Sequence, residues 1–111
     1  MTREFVIMPE FERRWKQMGL GDIELRQLQE TLLLNPKMGD AIQGTGGLRK
    51  LRIAFRGKGK SGSGRIAYVD FTTYDTIYLI TAYSKNEKEN LSPKERAEIA
   101  KVIQILEKGF E

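Results

Sequence analysis

Four consecutive apolar side chains (Phe5, Val6, Ile7, Met8) end at Pro9, the pattern of a first strand over residues 4–8 running into a helix with proline in its opening turn. Phe11, Trp15 and Met18 then recur at helical spacing until Gly19 and Gly21 interrupt it, which predicts one short helix. Asp22 is a candidate N-cap for a second helix, in which Leu25, Leu28, Leu32 and Ile23 line one face before Asn35-Pro36 ends it. So short a link between the two predicts a helical hairpin.

Residues 37–47 turn to glycine and polar side chains, after which the period falls to two. Leu51, Ile53 and Phe55 alternate with Lys50, Arg52, Ala54 and Arg56, so this strand is expected to bury the first set and turn its cations to the other side. The stretch GKGKSGSG (residues 57–64) reads as a hairpin connection. Residues 65–71 and 76–83 are two further strands joined by a turn around residues 73–75, which completes an antiparallel meander. Ser92-Pro93-Lys94-Glu95 is a capping box with proline at the first helical position, and Ile99, Val102 or Ile103, and Leu106 supply the buried stripe of a last helix. The expected fold is α+β: a strand, two helices, a three-strand meander and a C-terminal helix, with the helices packed on one face of a small antiparallel sheet. Its 111 residues suit a single domain, 1–111.

Charge changes this picture. The chain has 19 basic and 15 acidic residues, yet residues 41–69 hold seven cations (Arg49, Lys50, Arg52, Arg56, Lys58, Lys60, Arg65) and no acid. The remainder carries 12 against 15, so the formal +4 is local. A confined positive field suits a polyanion, because neutralising phosphates releases their counterions. A charged edge strand would also carry cations against aggregation, but solvated edges usually mix signs. The reading is an RNA site.

Composition excludes several chemistries. With no cysteine and no histidine there is no disulfide framework, no thiolate zinc site and no Ser-His or Cys-His nucleophile. No metal or cofactor is expected. The amino terminus lacks the apolar stretch of a signal peptide, and no run approaches the roughly 20 apolar residues of a membrane span, so the expected location is the cytoplasm, without a membrane partner. Gly59-Lys60-Ser61 resembles the end of a P-loop, but the pattern needs glycine where Ala54 stands and a helix where a strand follows. Asn90-Leu91-Ser92 satisfies a glycosylation sequon that a chain without an export signal would not use.

Three stretches, Gly44-Thr45-Gly46-Gly47-Leu48-Arg49-Lys50-Leu51-Arg52, Gly57-Lys58-Gly59-Lys60-Ser61-Gly62 leading into Arg65-Ile66-Ala67-Tyr68, and Tyr78 through Lys88, resemble the RelE/ParE toxin superfamily, nearest its HigB-like branch of type II toxin-antitoxin toxins. The resemblance covers nearly the whole chain in the same element order. It implies a RelE-like fold and cleavage of messenger RNA in the ribosomal A site.

Such cleavage needs a base to activate the 2′-hydroxyl, positive charge for the developing phosphate dianion, and an acid for the leaving 5′-oxygen. Clustered cations can supply all three, since a lysine among like charges has a lowered pKa and an arginine keeps its charge. Carried over from the family, the Lys-x-Lys pair falls on Lys58 and Lys60, the following strand arginine on Arg65 with Tyr68 after it, and a further cation on Lys85. Tyr83 is placed to stack on a base or share in proton transfer; for Tyr68 ordinary sheet packing is the stronger reading. Arg49, Lys50, Arg52, Arg56 and Lys88 are candidates for phosphate contact. The chain lacks the tyrosine of the best-known RelE pattern in residues 86–92, which leaves the general base open. The resemblance further implies a cognate antitoxin, expected to be a helix-turn-helix DNA-binding protein. Two other functions compete: a ParE-like topoisomerase inhibitor without ribonuclease activity, and a non-catalytic RNA- or ribosome-binding module.

Overall fold

The apolar residues of Ser63–Phe71 do not alternate with polar ones, and this strand is buried along nearly its whole length on both faces. It is the centre of a five-stranded sheet in a computed structural model that describes residues 2–55, 57 and 63–111. Along the chain the elements are β1 (Glu4–Ile7), α1 (Pro9–Gln17), α2 (Asp22–Leu34), β2 (Asp40–Ala41), β3 (Leu48–Ala54), β4 (Ser63–Phe71), β5 (Thr76–Ser84) and α3 (Pro93–Lys108), with a 3-10 turn at Thr72–Tyr74. The spatial order is β1-β5-β4-β3-β2.

The α+β class and the order of the expected elements hold; three details are corrected. First, the sheet is mixed, because β1 pairs parallel to β5 while the other pairs are antiparallel. β1 lies beside the last strand, where the Arg3 guanidinium also reaches Asp70 at 2.9 Å. Second, the helices do not share one face. Phe11, Trp15, Leu28 and Leu32 of α1 and α2 pack with Ile53, Ile66, Ile77 and Leu79 on one side, while Ile103 of α3 packs with Leu48, Val69, Phe71 and Ile80 on the other. Strands that are apolar on both faces need cover on both. Third, Gly21 rather than Asp22 precedes α2 as its cap: the Gly21 amide donates to Glu24 Oε1 at 2.8 Å, and Ile23 is 70% exposed. The cap of α3 forms as expected, Ser92 Oγ accepting from the Glu95 amide at 3.1 Å and Glu95 Oε1 accepting from the Ser92 amide at 2.8 Å.

The glycine-rich and polar residues 37–47 contain β2. A tight turn joins it to β3 through Gly44, Gly46 and Gly47 at φ of 75°, 77° and 115°, values that favour glycine. The turn wraps the buried Thr45, whose hydroxyl donates to the Ile42 carbonyl at 2.6 Å and accepts from the Leu48 amide at 3.1 Å. Gly39 enters β2 so close to β3 that a Cβ there would stand 2.8 Å from the Lys50 carbonyl oxygen. This hairpin sets Asp40 opposite Lys50. Among the described residues, no helix is long and apolar enough to cross a membrane.

Candidate functional site

Alternation on β3 divides its residues as the sequence requires. Leu51, Ile53 and Phe55 join the core under α1 and α2, and Lys50 and Arg52 face the side that α3 covers only in part. Antiparallel register carries this across the sheet, since directly paired residues project to the same face. Arg52, Arg65 and Tyr83 form one lateral row over β3, β4 and β5; Asp40, Lys50, Ala67 and Thr81 form the next. The β4 and β5 register shifts between Ala67 and Tyr68, where Ala67 pairs with Thr81 and Tyr68 with Leu79, leaving Ile80 as the extra residue of a bulge. That bulge returns Tyr83 to the face of Arg65.

A hollow of about 240 Å³ opens over these rows, lined by Asp40, Lys50, Arg52, Arg65, Glu89 and Asn90. Arg65 is only 8% exposed and donates to the Gly64 carbonyl at 3.2 Å. Lys50 Nζ donates to Asn90 Oδ1 at 2.5 Å, tying the segment before α3 to β3. Cations from two strands therefore meet in one concavity whose floor is fixed by sheet pairing. The arrangement can hold an anion with charge-assisted donors.

Tyr83 is 1% exposed, and its hydroxyl has no hydrogen-bond partner among the described residues. Burial pushes this hydroxyl up from its ordinary pKa, with Arg65 pulling against the rise and Glu95 adding to it. A buried ring offers no open face for base stacking, and the hydroxyl, equally buried, does not line the hollow. Lys88 Nζ stands 5.4 Å from the centre of that ring and pairs with Glu95. The Lys88 ammonium and the Ser92 amide hold the Glu95 carboxyl below the usual carboxylate range. Lys88 and Glu95 also rim a separate, mainly apolar cleft of about 320 Å³ between Met8, Ile80, Leu91 and Ile99.

The expected site residues thus divide. Lys50, Arg52 and Arg65 come together, with Tyr83 in the row of the two arginines. Lys85 is exposed just past β5, its amide donating to the Ser63 carbonyl at 3.2 Å, and does not line the hollow. Lys88 stands over Tyr83 instead of in the hollow. Arg49 points to the opposite face, where it donates to the Gly39 carbonyl at 2.7 Å and the Lys37 carbonyl at 3.3 Å. Tyr68 is structural: its hydroxyl donates to the Pro36 carbonyl at 2.8 Å and accepts from the Gly39 amide at 2.9 Å. Lys58, Lys60 and Arg56 lie outside the described residues. Sequence reasoning missed Asp40, Glu89 and Asn90 as site residues: Asp40 lies in a stretch without period, and Glu89 and Asn90 fall between β5 and α3, where Asn90 offers only a glycosylation sequon.

Comparison with known proteins adds to this geometry. Residues 7–109 match the family model described as RelE toxin of the RelE/RelB toxin-antitoxin system. The fold is similar to that of the free E. coli toxin RelE carrying two arginine-to-alanine changes, with a TM-score of 0.60 and 16% identity over 93% of this chain and 99% of that one. The same variant in complex with an antitoxin RelBc peptide gives 0.53 and 15% over 88% and 94%. Isolated E. coli RelE gives 0.52 and 14% over 91% and 99%.

Proposed function

This chain belongs to the RelE toxin family, the toxins of RelE/RelB toxin-antitoxin systems, and from that premise we propose that it is a ribosome-dependent endoribonuclease that halts translation by cutting messenger RNA. The observation that carries the reading is the hollow in which Lys50, Arg52 and the buried Arg65 converge. Inhibition of another protein by surface contact alone does not require cations gathered from two strands into a concavity.

The reaction is attack of a ribose 2′-hydroxyl on the adjacent phosphorus with loss of the 5′-oxygen. The 2′-O–P bond forms, the P–O5′ bond breaks, and one proton leaves the attacking oxygen while another reaches the departing one. Arg65 and Arg52 are assigned to the phosphate, where arginine's fixed charge and paired donors stabilise the pentavalent dianion most as its charge peaks. The held guanidinium of Arg65 suits this, because a preset donor needs little rearrangement during the reaction. Tyr83, whose burial favours the protonated hydroxyl, is assigned as a donor toward the departing oxygen or the phosphate once RNA binding uncovers that hydroxyl, not as the base. Proton removal is assigned to the Lys58 and Lys60 pair, with Lys85 as a further cation, on the family resemblance.

We also assign the chain an antitoxin that covers or distorts the basic site. Support comes from family membership and from the E. coli RelE variant solved with an antitoxin RelBc peptide; a helix-turn-helix DNA-binding antitoxin remains the expectation from sequence.

The test is to express wild type and Lys58→Ala, Arg65→Ala and Lys85→Ala variants in growing cells and map messenger RNA ends. Wild type is expected to arrest growth and create new ends within translated frames, and each variant to reduce them. Arrest with intact messages and damaged DNA would replace this reading with topoisomerase inhibition. Ribosome binding without new ends or arrest would leave a binding module.

A further inference from the structure

The hollow is not uniformly basic. Asp40, Glu89 and the Asn90 amide share its lining with Lys50, Arg52 and Arg65. Register separates the two characters: Asp40 pairs with Lys50, which holds Asn90, while the Arg52 and Arg65 pair lies two residues farther along, roughly 7 Å at the rise of a strand. Among the described residues neither Asp40 nor Glu89 makes a side-chain hydrogen bond or ion pair, although both line a hollow with three cations. Arg65, nine-tenths buried and facing the same space, has no carboxylate partner among them either. Asp40 thus stands beside Lys50, one row away from the two arginines, which face the gap without a carboxylate of their own. A ligand that fills it must be anionic at the arginine end and rich in donors at the other.

Successive phosphates meet that requirement poorly, because a second phosphate would lie against Asp40 and Glu89 with Lys50, already bonded to Asn90, as the one cation beside them among the described lining residues. One nucleotide meets it, with its phosphate on the arginines and its base at the acidic end. A carboxylate offers acceptors only, two oxygens that can take a parallel pair of donors. Guanine alone among the four RNA bases carries two adjacent donors, N1–H and the N2 amino group, on its Watson–Crick edge. Adenine and cytosine set one amino donor beside an acceptor, and uracil sets one donor between two acceptors. Asn90 completes the match: with Oδ1 committed to Lys50, its Nδ2 remains to donate to guanine O6.

We propose that Asp40, Glu89 and Asn90 form a base-reading subsite that selects guanine in the nucleotide whose phosphate sits on Arg52 and Arg65. The proposal rests on the ribonuclease reading for its substrate, but its test does not depend on cleavage. The purified chain is titrated with the 3′-monophosphates of guanosine, adenosine, cytidine and uridine, following backbone amide resonances of residues 40, 50, 89 and 90. Guanosine 3′-monophosphate is expected to bind about tenfold more tightly than the others. Glu89→Gln and Asp40→Asn, both at exposed positions, are expected to erase that margin, and Arg65→Ala to weaken all four nucleotides alike. The same variants are then compared for the bases flanking their messenger RNA cuts, where loss of guanine enrichment is expected.

Equal binding of the four bases by wild type, or a guanine margin unchanged in both carboxylate variants, would overturn the proposal. A chain that prefers guanosine through these carboxylates but cuts no message would support the subsite and remove the ribonuclease reading. Cuts whose base profile is the same in wild type and variants would do the reverse.

Discussion

Two tyrosines on opposite faces of the sheet offer a test that separates structure from chemistry, by changing each to phenylalanine. Tyr68→Phe removes a donor to the buried Pro36 carbonyl and an acceptor for the buried Gly39 amide, at 2.8 and 2.9 Å, and leaves both backbone groups without that partner. Two such bonds contribute about 0.5–1.5 kcal/mol each, and orphaning buried groups adds to this, so the expected loss is about 2–3 kcal/mol. With a urea m-value of about 1.5 kcal/mol/M, the unfolding midpoint falls by roughly 1–2 M. Tyr83→Phe removes a buried hydroxyl that has no partner among the described residues, so stability should stay within about 0.5 kcal/mol of wild type or rise. Cleavage per folded molecule should run the other way: unchanged in Tyr68→Phe below its melting range, and reduced at least about tenfold in Tyr83→Phe if its hydroxyl donates in the reaction. Urea unfolding paired with messenger RNA cutting on purified ribosomes reads both quantities. Unchanged stability with lost cleavage in Tyr68→Phe, or a 2 kcal/mol loss in Tyr83→Phe, would refute the assignment, the energy scale being that of about two buried hydrogen bonds.

Arg49→Ala should release the turn into β2, lower stability by about 1–2 kcal/mol, and leave cleavage per folded molecule within about threefold, because Arg49 grips carbonyls on the face away from the hollow; a collapse of cleavage without destabilisation would move it into the site. Acid should loosen the segment between β5 and α3. The Ser84 amide and, less strongly, Arg14 hold the Glu87 carboxyl below its ordinary range, and Lys88 and the Ser92 amide do so for Glu95. Depressed carboxyls stabilise the fold fully above their unfolded value, about 4.3, and lose that contribution as pH falls through their lower folded values. Thermal unfolding should therefore be flat above about pH 5 and drop below it. Glu95→Gln should reduce the drop, and an identical acid slope in that variant would contradict the assignment.

How much of this was legible depended on whether the signal was local. The Ser92 and Glu95 cap, the helical spacing of Phe11 and Trp15, and the alternation around Arg52 each specify a conformation within a few residues, and each appears as expected. Pairing between distant segments left no such mark. Nothing in Phe5 or Val6 says that they lie beside Ile77 and Tyr78, and a strand as short as Asp40–Ala41 cannot display a period. The two-sided apolar character of Ile66 through Val69 and of Ile77 through Tyr83 carries the information that a second face needs cover, but it does not say which helix supplies it. For the site, counting cations found Lys50, Arg52 and Arg65 because strand alternation delivers them to one face. The same count could not separate Arg49, one residue out of phase. Asp40 and Glu89 lie outside the basic run of residues 41–69, and no local pattern in the sequence brings either acid to its cations.

The central claim is that the hollow built on Arg65 grips the scissile phosphate, and single-turnover cutting of a defined message on programmed ribosomes tests it most directly. Arg65→Ala, shown by circular dichroism to keep the wild-type fold, is predicted to cut about 10²–10³-fold more slowly, with Arg65→Lys between the two because it restores the charge without the paired donors. Wild-type cutting rates in folded Arg65→Ala would contradict the account.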